Sequence, residues 1–589
     1  MNKIKFNKVL NKKQYQAVTS TEGSYLVISS AGSGKTRILI YRVAYLIHNK
    51  KVDPSSILLL TFTRKAAGEM RSRLKKVIGD KANDVTIGTM HGTALDFLQR
   101  FGELVGLKTK RITVYSEWEE KFLLKDVCME LGYHSGKAWK GVKKKDVDRA
   151  FYLFYTEGKR DPELDTANDI LDAFFARCKE NNALTYGTIM TTFQALLPHI
   201  KNFLGYRHVL VDETQDNDKL QWQIINTLCE LSGASLFACG DIDQAIFAFR
   251  GADPGYLIRH KPEFDVYTLE DNYRSDGNIV QAANALIEHN QSRIKKTMNA
   301  KKDSVVTVSC FESMDSGKIA ANIQNYRENF SENMAVLARN HFMLEKLSKL
   351  LNESGIEHEY VGKQKALTKS EGFRRFHAFL KLVINPYDNF SFLLIRDYVG
   401  VTKKEYGEIR LKAVQENKSH FQAWIDFDDP EDAGTWAKTI SPCRSDEMHI
   451  AVDLLKNIEF EFDPEPVFEF VYAWLLENSE KTIEDYLNWL AVYDLQDEIS
   501  DKPKSLQLMT VHASKGLEFP TVIIAGMNEG ILPSNRANSN DDELEGERRL
   551  AYVAYTRAEN LLLLTSRPTQ DSRGFEKHPV SRFVKEGLE

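Results

Sequence analysis

One run of eight residues constrains this chain more than any other: Ser29-Ser30-Ala31-Gly32-Ser33-Gly34-Lys35-Thr36. Two glycines among small residues let the backbone curl until its N–H groups face a common point, and such a nest attracts an anion. The run follows the apolar Tyr25-Leu26-Val27-Ile28 and leads into an apolar helix from Thr36 to about Ile47. This strand–loop–helix order aims the positive end of the helix dipole at the same point. Lys35 is then placed to reach the outer phosphates of a nucleoside triphosphate, and the Thr36 hydroxyl to ligate Mg²⁺. Ser30, Ala31, Gly32, Ser33 and Gly34 form the cradle. The strict form of the loop has Gly where Ser29 stands.

A phosphate loop needs a carboxylate on a neighbouring strand. Val209-Leu210-Val211-Asp212-Glu213 supplies it. Asp212 is placed to hold Mg²⁺ through water, and Glu213 to orient or deprotonate an attacking water. Ile57–Leu60 and Leu236–Cys239 are further short apolar runs that end in polar residues, the pattern of a buried parallel sheet. Such sheets bind ligands at their carboxyl ends. A second set of runs comprises Met334–Ala338, Val522–Ala525 and Leu561–Leu564. Two stretches, about 99–188 and 378–503, break the alternation and read as mainly helical. In the second, Tyr486-Leu487-Asn488-Trp489-Leu490 is an apolar stripe at helical spacing and reads as core. The expected fold class is α/β. Two phosphate-loop-type domains with parallel sheets, 1–98 with 189–277 and 278–377 with 504–589, each carry one mainly helical insertion.

Composition excludes several alternatives. With 589 residues, 42% of them hydrophobic, the chain can bury several cores, and 11% aromatic content is too high for a disordered chain. No apolar run approaches membrane-spanning length, and Met1-Asn2-Lys3-Ile4-Lys5-Phe6 has no apolar leader; the expectation is a soluble, cytoplasmic protein with no membrane partner. Cys128, Cys178, Cys229, Cys239, Cys310 and Cys443 form no C-x-x-C pair, so they read as reduced thiols rather than metal ligands. The net charge is −5, so any track for a polyanion must be local.

The motifs around these elements resemble those of the UvrD/Rep type of superfamily 1 DNA helicases, from near the N-terminus almost to the end. Leu10 to Val18 resembles the adenine-reading segment, with Gln14 as reader. Thr61-Phe62-Thr63-Arg64 to Met70 resembles motif Ia, with Arg64 where the family usually has Asn. Gly88-Thr89-Met90-His91-Gly92 resembles motif Ib, with Met90 and Gly92 in place of the commoner Phe and Ser. Asp212-Glu213-Thr214-Gln215-Asp216 is similar to motif II, and Gly240 to Ala252 to motif III, where Phe247 and Phe249 replace Tyr and Trp. Asn272-Tyr273-Arg274-Ser275 resembles motif IV, Leu508 to Phe519 motif V, and Glu547 to Ala558 motif VI.

The resemblance implies two RecA-like domains and a composite ATP site. Lys35, Thr36, Asp212 and Glu213 would come from the first domain, with Gln244 sensing the γ-phosphate. Arg274 and Arg557 would act as fingers from across the cleft, since planar guanidinium donors stabilise charge on a phosphoryl group. Tyr273 would stack on adenine beside Arg37, and Glu518 would hold the ribose. Single-stranded DNA and its junctions with duplex are the implied partners. Phe62, Thr63, His91, Phe247, Phe249, Arg250 and His512 would lie along the track, where aromatic stacking is tolerant of sequence. Phe247 fits a core position equally well. A 3′-to-5′ direction, and DNA rather than RNA, rest on the resemblance, because none of these residues reads a 2′-hydroxyl.

Two basic runs stand out. Lys137-Ala138-Trp139-Lys140-Gly141-Val142-Lys143-Lys144-Lys145 interleaves an aromatic and is a candidate phosphate contact, whereas Arg293-Ile294-Lys295-Lys296 reads as a solvated charged face. Two competing readings accompany the motor. One is the motor subunit of a nuclease-containing or defence complex; the tail from Leu561 to Glu589 is too short for a nuclease domain, so the nuclease would be a separate chain. The other is an ATP-regulated switch without unwinding, against which intact Glu213, Arg274 and Arg557 argue. Repair, replication, recombination and anti-phage defence are all compatible with these motifs.

Overall fold

The computed structural model describes residues 4–588 apart from 21–22, 109, 136–137, 306–307, 313–314, 330–332, 363–366, 369, 427–447, 457, 479, 492–505, 568 and 570–577. Lys137 and Cys443 therefore lie outside the described residues. The chain divides into two compact units: Met1–Met90, Asn202–Gly362 and Asp494–Glu589 form one, and His91–Lys201 with Lys363–Tyr493 form the other. The first insertion stretch, 99–188, falls in the second unit, as do residues 378–493 of the other; residues 494–503 belong to the first unit.

The first unit holds two six-stranded sheets, parallel throughout. One comprises β1 (Tyr25–Ser29), β2 (Ile57–Thr61), β3 (Thr86–Thr89), β4 (His208–Val211), β5 (Ser235–Gly240) and β6 (Asp265–Leu269), in the order β6-β1-β5-β4-β2-β3. The other comprises β7 (Ser309–Phe311), β8 (Met334–Ala338), β9 (Glu359–Tyr360), β10 (Leu506–Thr510), β11 (Phe519–Ala525) and β12 (Ala558–Thr565), ordered β7-β12-β11-β8-β10-β9. Every residue of β1, β2 and β8 is buried, which explains their apolar reading, and β10 is buried throughout as well, Gln507 included. The long chain excursions between β3 and β4, and between β9 and β10, carry the second unit.

Charge is also buried in the first unit. Helix Asp541–Tyr555 is buried continuously from Glu547 onward. Its charges are paired: Glu547 with Arg339 at 2.9 Å and Arg548 with Glu586 at 2.7 Å. The run Arg293-Ile294-Lys295-Lys296 departs from the sequence expectation. Arg293 and Lys296 are not on a solvated face; both side chains are buried and ion-paired to acids.

The second unit is mainly helical, with a parallel pair of short strands, Thr113–Tyr115 and Ala183–Thr185, and an antiparallel pair, His134–Ser135 and Ala138–Trp139. Phe376, Phe379, Phe392, Trp424 and Tyr486 build one core, which includes the stripe read from sequence: Leu487 is buried in it, and Trp489 and Leu490 pack against it. A second core around Tyr115, Phe151 and Phe174 takes in Phe390 from the later stretch. Buried polar groups join the two stretches. Lys381 pairs with Glu119, the Tyr115 hydroxyl donates to Asp388 at 2.6 Å, and the Asn385 amide donates to Thr113 Oγ1 at 2.9 Å. No helix among the described residues is long and apolar enough to cross a membrane.

Candidate active site

The phosphate loop leaves the carboxyl end of β1 and enters helix Lys35–His48, with Gly34 as its N-cap. Gly32 and Gly34 have φ of +66° and +86°, a region L side chains rarely adopt. A Cβ on Gly32 would also meet Asn272 Nδ2 at 2.9 Å and Arg274 Cβ at 2.8 Å. Three donors bind the loop's carbonyls. Asn272 Nδ2 donates to Ala31 at 2.9 Å, the Tyr273 N–H to Gly32 at 3.0 Å, and Gln14 Nε2 to Ser33 at 2.9 Å. With these carbonyls engaged, the loop's curl is fixed.

Asp212 and Glu213 follow β4. Glu213 is held at φ +49°, a left-handed conformation that costs a non-glycine residue about 1–3 kcal/mol. Two donors hold its carboxylate: Lys35 Nζ at 3.0 Å and Gln215 Nε2 at 2.5 Å. Burial works against the Glu213 charge, but Lys35 and Lys515 outweigh it and bring its pKa below the usual range. Asp212 moves the other way, pushed up by burial and by the neighbouring Glu213. Asp212 is buried and Glu213 half-buried beside it, and the two acids divide their roles by environment, one firmly ionised and one holding its proton more readily.

A cavity of about 1340 Å³ opens over this loop. Gly32 to Arg37 line it, whereas Ser30 and Ala31 are buried and do not. Asp212, Glu213, Gln14 and Gln244 line it from the same half, and Tyr273, Arg274, Glu518 and Arg557 join them. Arg274 Nε pairs with Glu518 at 2.7 Å, and its Nη1 donates to the Thr556 carbonyl at 3.1 Å. Arg557 is buried and donates to the Val553 and Leu517 carbonyls. Burial, then Arg274, pull its guanidinium down to about 9. Arg37 donates to the Val9 carbonyl at 2.6 Å. Gln14 is engaged at both ends, because its Oε1 also accepts from Asn11 N at 3.1 Å.

The residues fit Mg²⁺ and a triphosphate. Asp212 Oδ1 and Ser30 Oγ are buried with no hydrogen-bond partner, an arrangement that costs stability unless a ligand completes it. Among the described residues no group of three or more His, Cys, Asp or Glu could hold a metal. A cation at Asp212 and Thr36 would therefore need phosphate oxygens or water as further ligands.

The aromatic candidates gather in the first unit. Phe62 stacks on Phe247 at 4.9 Å between centroids, and Phe249 meets His512 edge-on at 5.3 Å. The Arg250 guanidinium lies over both Phe247 and Phe249. Exposure separates the two phenylalanines: Phe249 is 67% exposed, whereas Phe247 is 5% exposed and sits in a core cluster with Met509 and Val511. Phe247 therefore cannot offer a face to a base in this arrangement; of its two sequence readings, the structure takes the core one. Thr63 spends its hydroxyl capping helix Arg64–Ile78. His91 belongs to the second unit, where it stacks on Tyr186 at 3.7 Å. Burial brings the His91 pKa down to about 3, and burial, Arg339 and Arg250 bring His512 down to about 3. Both are neutral rings, suited to stacking rather than to pairing with phosphate.

The chain matches known proteins along most of its length. Residues 10–265 match the UvrD/REP helicase N-terminal domain, and residues 267–463 and 467–568 match the UvrD-like helicase C-terminal domain. This chain belongs to the UvrD/Rep helicase family. Membership places it among ATP-hydrolysing DNA helicases. An ATP-dependent DNA helicase PcrA of Staphylococcus epidermidis is 31% identical, covering 98% of this chain and 86% of the relative. The PcrA of Leuconostoc citreum is 30% identical over 98% and 84%, and that of Bacillus subtilis 29% over 98% and 85%.

Three site residues of this helicase escaped the sequence reading. Asn272, which opens the run Asn272-Tyr273-Arg274-Ser275, braces the loop through Ala31. Lys515 is buried, pairs with Asp216, donates to the Gln244 carbonyl at 2.8 Å and lies 5.0 Å from the Phe247 ring centroid. It thereby touches both the ATP cavity and the aromatic cluster. Its position in Ala513-Ser514-Lys515-Gly516 was the available signal. Tyr186, half exposed over His91, had none, because stacking across nearly a hundred residues leaves no local pattern.

Proposed function

We propose that this helicase couples ATP hydrolysis to 3′-to-5′ stepping along single-stranded DNA and separates strands at junctions with duplex. One observation carries the reading: the phosphate loop, the acid pair, Gln244, Arg274 and Arg557 all line a single cavity. In this reading residues 1–98 with 189–277 and 278–377 with 504–589 are the RecA-like motor domains, and 99–188 and 378–503 their insertions.

Glu213, firmly ionised, takes the proton of the water whose oxygen bonds to the terminal phosphorus as the bridging P–O bond breaks. Lys35, Arg274 and Arg557 face the charge that spreads over the transferring group, where an arginine finger contributes about 10³–10⁵ in rate. Mg²⁺, held by Thr36 and Asp212, would neutralise phosphate charge. Tyr273 stacks on adenine beside Arg37, Gln14 exchanges one of its present bonds to read the base, and Glu518 holds the ribose. Phe62, Thr63, Phe249, Arg250 and His512 of the first unit contact single-stranded DNA, as does His91 of the second. Lys143, Lys144 and Lys145 contact phosphates, so neutralising them should flatten the salt dependence of DNA binding.

The test is ATP hydrolysis with and without single-stranded DNA, with Glu213→Gln as control, followed by unwinding of 3′- and 5′-tailed duplexes. Stimulation that the substitution abolishes, with preference for the 3′ tail, is expected. A rate indifferent to DNA overturns the motor; a preference for the 5′ tail overturns the direction.

A further inference from the structure

Behind Gln244 lies a cluster of charges that the ATP cavity does not include. Asp241 and Asp243 lie on either side of Ile242, with side chains 0% and 1% exposed. Two buried carboxylates so close repel each other and lose hydration, and only paired cations make them tolerable. Both cations come from the segment after helix Gly277–Glu288. Lys296 Nζ lies 2.7 Å from Asp241 Oδ1 and also pairs with Asp243, and Arg293 grips both Asp243 oxygens, at 3.0 and 2.7 Å. Lys296 is 2% exposed; burial opposes its charge, but the two acids outweigh that and raise its pKa.

The two oxygens of Asp241 are divided between tasks. Oδ1 takes Lys296, and Oδ2 accepts from Gln244 Nε2 at 2.6 Å. The Asp241 N–H donates to Gln215 Oε1 at 2.9 Å, and Gln215 Nε2 donates to Glu213 at 2.5 Å. An unbroken chain of contacts therefore runs from Arg293 and Lys296 through the two aspartates to Gln244 and Glu213. The cations fix the Asp241 carboxylate, and that carboxylate fixes the Gln244 amide.

We propose that Arg293 and Lys296 are positioning residues that set Gln244 and Glu213 through the Asp241–Asp243 pair, and so govern the turnover of ATP rather than its affinity. This deepens the ATPase reading above and rests on it. The experiment is a double-mutant cycle on the full chain with Lys296→Met and Gln244→Ala, reading kcat and KM for ATP at saturating single-stranded DNA. Lys296→Met should lower kcat about tenfold with KM within about threefold, and the double variant should lose no more than the worse single one. Arg293→Lys, which keeps the charge, should retain more of the rate than Arg293→Met. If Lys296→Met does not fold, the charge-balanced pair Asp243→Asn/Lys296→Met replaces it in the cycle, with its melting curve as the check on folding. Losses that multiply, or a folded variant whose kcat stays within about twofold of the unmodified chain, overturn the proposal. A DNA-indifferent rate in the unmodified chain would instead sink the motor reading, and the same cycle would then be read on the basal rate.

Discussion

Both units of the molecule bury charge, and they do so in different ways. In the second unit buried charges meet in small sets, such as Lys381 with Glu119 and Tyr115 with Asp388. In the first unit the charges form a crowd. Asp212, Glu213 and Arg557 face an open cavity, and Asp216, Asp241 and Asp243 lie buried behind it, met by Lys515, Lys296 and Arg293. Two acid oxygens of that crowd, Asp212 Oδ1 and Asp216 Oδ1, are buried with no hydrogen-bond partner. A satisfied pair specifies how two segments fit together, whereas a crowd with an orphaned oxygen beside a cavity is arranged for something that arrives. The contrast teaches where loss of a charge should cost the fold and where it should cost the reaction.

The largest test of that contrast is Glu213→Gln. It should lower DNA-stimulated ATP hydrolysis by about 10²–10⁴ while leaving the melting temperature close to that of the unmodified chain. Phosphate release and thermal melting on one preparation check both halves, and a large drop in melting would erase the distinction. Lys381→Met is the counterpart in the second unit. It strands Glu119 and should cost about 3–5 kcal/mol in denaturant unfolding of that unit, while Lys381→Met with Glu119→Leu should recover most of the loss. A single variant as stable as the original would break the comparison.

The two phenylalanines sharpen it within the motor. Phe247→Ala should destabilise by about 3–5 kcal/mol, as loss of a core ring does. Phe249→Ala should leave stability alone and weaken single-stranded DNA binding by about 1–3 kcal/mol, read by fluorescence titration. The reverse assignment would return Phe247 to the track.

The smallest effect is on pH. Burial, opposed by the Phe373 carbonyl and reinforced by Lys381, brings the His377 pKa to about 3, against 6.5 ordinarily. Above pH 6.5 the ring is neutral folded and unfolded, and its contribution is complete. Below that the unfolded chain takes up a proton that the folded one refuses, so stability should fall by about 1.4 kcal/mol per pH unit until the folded ring also titrates. A His377→Gln variant should show a shallower decline between neutral pH and pH 4.5, by roughly that slope; an identical decline would mean that the ring is not buried neutral.

The sequence by itself determined seven of the twelve strands in the two large sheets, the phosphate loop and the identity of most groups at the cavity. Short apolar runs ending in polar residues, and glycines beside Lys35 and Thr36, are local patterns, and local backbone physics suffices to read them. Only the tertiary structure decided what depends on distant neighbours. It turned Phe247 into core and left Phe249 exposed, although the two lie two residues apart in similar company. It buried Arg293 and Lys296, which a charge run in isolation would leave in water, because Asp241 and Asp243 lie some fifty residues earlier in the chain and reward the burial. Tyr186 over His91 and Asn272 against Ala31 belong to the same class. Pattern fixes an element where the interaction spans a few residues. Where a side chain's energy is set by a partner brought in by the fold, the sequence names both partners but not their meeting.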